Sequence, residues 1–325
     1  MMKHKILTAL TILTAELSSR PSPKGAWRNL VLCSLILLSC SKWTEPEPLD
    51  YPEQDFTETG GEAWAEHTAA MRAYRLTDHS TVYVRLNNSP DGFTSEKDYM
   101  RCLPDSVDIV TLTNADRLSD YDIADLPLMK SLGIKVLYLI DWSARSGELS
   151  AEGALDAYLQ KTIETVSRHG LDGWAIHGVY KYGDSAAASA GKKILARLTE
   201  VRTEGQLVVF EGDPLFFSDE RDRRKLDYVV LDTEDKKTVS EVTLAATSAV
   251  RAGVRARNLL ISARSAAVLA DMEQNEYESL TSVVDIVLNN SYGGIGVYDL
   301  ADDYSSGDGN YALTRRTISL LNPVK

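Results

Sequence analysis

The run Lys135-Val136-Leu137-Tyr138-Leu139-Ile140 constrains the chain more than any other stretch. It is almost continuously apolar and is bounded by Gly133-Ile134 on one side and Asp141-Trp142 on the other. A strand with no polar face belongs in a parallel sheet covered on both sides, and parallel neighbours need crossover connections, usually helices. Strand-like segments recur on this plan at residues 81–86, 103–112, 135–140, 170–179, 206–210, 226–231, 258–262 and 293–300. Helical segments are expected at 62–75, 121–132, 155–166, 186–201, 239–252, 266–288 and 311–321. In the third of these, Leu155, Tyr158, Leu159, Ile163 and Val166 share one face at i, i+3/i+4 spacing. Eight such units between Val82 and Lys325 match the size and order of a single-domain (β/α)8 TIM barrel, an α/β fold.

The segment before the barrel reads as an export signal. Lys24 and Arg28 precede an apolar run from Leu30 to Leu38, which is too short for a bilayer span of about 20 residues but suits a signal peptide. An earlier run, Ile6 to Ala15 behind Lys3 and Lys5, looks like a redundant signal, so the true start codon is open. Leu37-Leu38-Ser39-Cys40 resembles a bacterial lipobox, which makes Cys40 the expected lipidation site; an ordinary secretory signal with an incidental cysteine is the alternative. The acidic, proline-bearing phrase after Cys40 favours an extended tether and resembles surface-export signals of Gram-negative glycan-foraging bacteria. The expected division is residues 1–39 as signal, 40–60 as lipidated tether and 61–325 as barrel. That places the protein on the outer membrane, lipid-anchored and exposed at the cell surface.

Beyond residue 39 there are 30 basic and 46 acidic residues, a net charge of −16, which argues against nucleic acid as a partner. Cys102 is the one cysteine left in the barrel segment, so no disulfide framework is available. The five histidines are scattered without ligand spacing, and no phosphate loop or Ser-His-Asp signature occurs; neither metal nor cofactor is expected.

Function in such a barrel sits at the strand C-termini. Here these offer Asn87, Asn114, Asp141, Trp142, His177, Glu211, Asp232, Glu234 and Tyr298. Sugars present apolar CH faces and rings of hydroxyls, so aromatics beside hydrogen-bonding groups suit them. Trp142, Trp174, Tyr180 and Tyr182 are the aromatics near the mouth, with Tyr298 deeper; Trp174 alternates with Ala175 and His177 and is expected to face the helices.

The stretch Gly170-Leu171-Asp172-Gly173-Trp174-Ala175-Ile176-His177-Gly178-Val179 resembles the fourth barrel strand of family 18 glycoside hydrolases, the chitinases and endo-β-N-acetylglucosaminidases, whose signature is DGxDxDxE. Asp172 and Gly173 keep the first two letters. Ala175 stands at the second Asp, His177 at the third and Val179 at the catalytic Glu, so the motif is degenerate. Gly293-Gly294 with Tyr298 resemble the family's eighth-strand GGxxxW, and Asp232 and Glu234 fall where its sixth strand closes. Trp43-Thr44, Leu49-Asp50 and the phrase 103–112 are similar to a lipoprotein branch of the same family.

The resemblance implies a pseudoenzyme of a glycan-utilisation system: a non-catalytic surface lipoprotein that binds an oligosaccharide containing N-acetylglucosamine, with Trp142, His177, Asp141, Glu211, Asp232, Glu234 and Tyr298 as its contacts. Glycan transporter components are further expected partners. The alternative is an active glycosidase that uses relocated carboxylates, Glu211 with Asp232 or Asp141, since two acids about 5–9 Å apart suffice for hydrolysis. A barrel kept as a scaffold for protein partners is a third reading. His177 is open to two roles, a hydrogen-bonded core residue or a sugar ligand.

Overall fold

In the computed structural model, eight parallel strands close into a barrel in the order β1-β10-β7-β6-β5-β4-β3-β2. The structure describes residues 61–88, 95–307 and 309–323. The signal, Cys40 and the tether fall outside the described residues. Helix α1 (Glu62–Arg75) leads into β1 (Thr81–Leu86) and β2 (Ile109–Leu112), followed by α2 (Asp120–Leu132) and β3 (Lys135–Asp141). Two helices, α3 (Trp142–Leu149) and α4 (Ala154–His169), precede β4 (Gly173–His177), and α5 (Ser185–Val201) precedes β5 (Leu207–Glu211). The short α6 (Glu220–Arg223), β6 (Tyr228–Leu231), α7 (Val239–Arg251) and β7 (Leu259–Arg264) follow. A hairpin of β8 (Val268–Ala270) and β9 (Glu276–Glu278), then α8 (Ser279–Asn290), β10 (Gly294–Tyr298) and α9 (Ala312–Leu321), complete the barrel.

The (β/α)8 class read from the sequence is therefore the fold. Strand alternation divides the core in two. Tyr83, Ile109, Leu137, Leu139, Ala175, Val209, Val230, Leu260 and Tyr298 fill the barrel, while Val82, Val84, Tyr138, Trp174 and Ile176 join the layer beneath the helices.

Two local expectations are corrected. Helix α3 was not expected after β3; it forms because Asp141, the last residue of β3, caps it by accepting from the Ala144 N–H at 2.9 Å. The expected helix over 266–288 begins only at Ser279. Upstream, Asp271 Oδ1 accepts from the Glu273 and Asn275 amides at 2.8 and 2.9 Å, and Gln274 takes a φ of 68°. Such side-chain to backbone bonds compete with helix and close the β8–β9 turn instead.

The barrel floor repeats one device. Asp108, Asp172 and Asp227 each accept from the first amides of a neighbouring strand: Val82 N–H at 2.8 Å, Val136 N–H at 3.0 Å and Val208 N–H at 2.7 Å. Lys135 adds an ion pair to Asp172 at 2.9 Å. The two glycines that open β4 and β10 are also floor features. Gly173 (φ 131°) and Gly294 (φ 150°) lie against the Leu207 and Thr81 carbonyl oxygens, where a Cβ would collide.

Candidate functional site

Successive residues of a strand face opposite sides, so β4 sends Ala175 and His177 into the barrel and Trp174 and Ile176 outward. In register beside His177 lie Asp141 on β3 and Glu211 on β5. These three are the last residues of their strands and ring one side of the mouth.

Glu211 is completely buried, and its carboxylate is engaged across the barrel. Tyr83 donates its hydroxyl to Oε1, and Arg85 donates from Nη2 to Oε2. The Tyr298 hydroxyl lies 3.4 Å from Oε2. Arg85 in turn sits over the Tyr298 ring, 4.2 Å from its centroid, a cation–π geometry. Burial, then the charge of Glu211, pushes both phenols well above their ordinary pKa, so both remain protonated donors. Together these four side chains plug the barrel just below its mouth.

Above the plug, His177 Nδ1 bonds Asp141 Oδ1 at 3.0 Å. Burial disfavours the imidazolium, but the hydrogen bond and charge of Asp141 outweigh it, and the His177 pKa rises from its usual 6.5. Burial also works against the Asp141 carboxylate, while His177 and the Ala144 amide outweigh it and lower the pKa. An ionised Asp141 accepts a hydrogen bond from Nδ1–H, which leaves Nε2 as the free ring nitrogen. His177 Nε2 has no partner among the described residues, and the side chain keeps 15% of its surface.

The opposite rim is an ion-pair chain over three strands. Arg264 pairs with Glu234 through Nη2 and places its Nε 3.0 Å from Asp299 Oδ2. Asp232 is half-buried and accepts from the Glu234 amide at 2.9 Å. Beside Tyr298, a cavity of about 90 Å³ is lined by Thr233, Ser262, Arg264 and Lys237 among others. A larger one, about 520 Å³, lies at the other end of the barrel beside Lys135, Asp172 and Gln206. Among the described residues, no three His, Cys, Asp or Glu side chains group as metal ligands.

The structure thus brings Asp141, His177, Asp232 and Glu234 to the mouth, with the aromatics Tyr180 and Tyr182 exposed beyond β4. Other assignments need correction. Trp142 is 6% exposed in the layer between strands and helices, because it opens α3 with its indole turned into the core, so it has no face for a sugar. Tyr298 is buried with Arg85 over its ring, which removes it as a stacking floor. Glu211 has no surface from which to touch a ligand or pass it a proton. Asp172 stitches the floor, far from the strand ends that carry the mouth. Ala175 is interior filling, and Val179 lies two residues past β4, exposed, its amide bonded to Ser143 Oγ at 2.7 Å.

Arg85 and Tyr83 were missed. The signal was present: an arginine inside Thr81-Val82-Tyr83-Val84-Arg85-Leu86, a strand of a doubly covered sheet, demands a buried acceptor.

Comparison with known proteins agrees with this fold. No family model and no curated protein matches the sequence. Solved structures do match. A selenomethionine-labelled variant of BT1044 is 20% identical, with a TM-score of 0.66 over 81% of this chain and 94% of its own. An endo-β-N-acetylglucosaminidase from Cordyceps militaris is 17% identical, with a TM-score of 0.61 over 79% and 95%. The GH18 chitinase ChiB from the chitin utilization locus of Flavobacterium johnsoniae is 11% identical, with a TM-score of 0.54 over 75% and 95%. At these identities the likeness is one of fold: a family 18-like barrel.

Proposed function

We propose that the protein captures a glycan containing N-acetylglucosamine at the barrel mouth and does not cleave it. The observation that carries this reading is the chemistry of the β4 end. The position that needs a proton donor holds the isopropyl group of Val179, and the supporting positions hold Ala175 and His177. The buried Glu211 carboxylate inside the barrel is occupied by its own donors. The ligand class rests on the solved relatives. Those of the same fold include chitinases, and an endo-β-N-acetylglucosaminidase from Cordyceps militaris holds fucosyl-N-acetylglucosamine-Asn. With Cys40 as lipid anchor, such a barrel serves as a surface lipoprotein of the outer membrane that passes glycan to transporter components.

Titration of the full chain in detergent with N-glycans and chitooligosaccharides, followed by mass spectrometry of the recovered glycan, tests the reading. Heat of binding with intact glycan is the expected result. Cleaved product supports instead a glycosidase using relocated groups. Since Glu211 is enclosed, Asp141, His177 and Asp232 are the groups that such chemistry has available.

A further inference from the structure

The plug and the His177–Asp141 pair each leave a cationic side chain with donors to spare. Arg85 gives Nη2 to Glu211, which is wholly buried beneath it. This is the one hydrogen bond its guanidinium makes among the described residues; Nε is buried without a partner, and the side chain stays 24% exposed, which leaves the Nη groups to meet a ligand. His177 likewise gives Nδ1 to Asp141 and turns Nε2 outward. The groups that act on His177 come from every neighbouring wall: Asp141 on β3, Glu211 on β5 and Arg85 on β1. The two cations of this set are the groups with unspent donors, and its two anions are paired. A neutral sugar hydroxyl can accept from such donors, but without charge assistance. An anionic oxygen suits them: guanidinium and imidazolium bonds to a carboxylate or sulfate are charge-assisted and roughly twice as strong as neutral ones.

We propose that the mouth recognises an acidic sugar, one bearing a carboxylate or a sulfate ester, through Arg85 and His177 Nε2. The inference deepens the capture reading and rests on it for the rest of the glycan. The chain's net charge of −12 and the rim acids Asp232 and Glu234 oppose an anion, but Glu234 is paired with Arg264, salt screens the wider field beyond about 8 Å, and the donors act at contact. A protonated His177 is required for Nε2 to donate, and the Asp141 carboxylate bonded to Nδ1 favours that state.

The test follows the His177 imidazole by NMR in the full chain in detergent, while glucuronate, glucose 6-sulfate or glucose is added at constant ionic strength. Saturable shifts with either anion and none with glucose are expected. The two anions separate the carboxylate from the sulfate form of the ligand. The His177→Gln variant, which keeps a hydrogen bond but no charge, is expected to bind the effective anion about tenfold more weakly by calorimetry. Anion responses no larger than that of glucose overturn the inference. If chains of N-acetylglucosamine nevertheless bind, capture survives without it. If an anion binds while neither plain nor acidic N-acetylglucosamine chains do, the anion site stands and the capture reading fails.

Discussion

Replacement of Arg85 by methionine tests whether the barrel is closed by a buried ion pair. The side chain spans from β1 to β5, and methionine fills much of its aliphatic volume without supplying a donor. Glu211, 0% exposed, then keeps only the two tyrosine hydroxyls, one of them at 3.4 Å. Breaking a buried pair by removing one partner costs about 3–5 kcal/mol, because the remaining charge is left uncompensated. Removing both charges in Arg85→Met with Glu211→Leu is close to neutral by the same reasoning, within about 1–2 kcal/mol of the parent. Tyr83→Phe, which deletes one bond to a charged acceptor, falls between at about 1.5–3 kcal/mol. Urea unfolding followed by tryptophan fluorescence and far-UV circular dichroism reads these values, with coincident transitions as the condition for treating unfolding as one step. A cost below about 1 kcal/mol for Arg85→Met, or a double variant as unstable as the single, would refute the plug as drawn.

Five further outcomes follow from the same geometry. Asp141→Asn removes the charge that raises the His177 pKa, so an NMR titration is expected to show a lower His177 pKa in the variant. His177 and His79, the latter raised chiefly by its bond to Asp108, both stabilise the fold fully below their unfolded value of 6.5 and lose that contribution as pH rises through the folded one. Asp141, lowered in the fold, contributes above 3.8 and loses it as pH falls, so unfolding midpoints should decline on both sides of the interval between. Asp172→Ala deletes an acceptor of the Val136 amide at the floor and should cost about 1–2 kcal/mol in urea while leaving ligand affinity at the mouth unchanged. Trp142→Ala should cost about 3–5 kcal/mol as a cavity in the outer core, with glycan affinity of the folded protein intact by calorimetry. Val179→Glu places a carboxyl two residues past β4 with Ala175 and His177 still beneath it, and mass spectrometry of chitooligosaccharides incubated with it is expected to show no cleavage.

Local and periodic features were legible in the chain. Helix α1 spans Glu62–Arg75 as the pattern indicates, and the apolar run of β3 is a strand covered on both sides. These succeed because one-sided or two-sided burial writes itself into adjacent residues. Where local bonding competed with periodicity, at Asp271 to Asn275, the reading extended a helix through a turn. Trp142 was misread for a related reason: lying just after a strand end suggests the mouth, but the Asp141 cap starts a helix there and rotates the indole inward. The plug was illegible in a stricter sense. Arg85 and Glu211 are 126 residues apart, and nothing near either names the other. Only the closed barrel brings them together.

That closure also explains how the β4 motif keeps its place in the barrel with Ala175 and His177 at its inward positions. Its first two letters do structural work: Asp172 ties β4 to the start of β3, and Gly173 allows the Leu207 carbonyl to approach. Neither task involves the mouth. The later letters point into the barrel, where an alanine packs as well as a carboxylate, provided the interior stays filled and its charges paired. Arg85, Glu211, Tyr83 and Tyr298 meet that condition by occupying the space beneath the mouth, with the Glu211 carboxylate held by the other three. An interior filled this way has its deepest carboxylate, Glu211, fully enclosed. What it retains is a shallow rim of Asp141, His177, Asp232, Glu234 and Arg264, suited to holding a ligand by its edge.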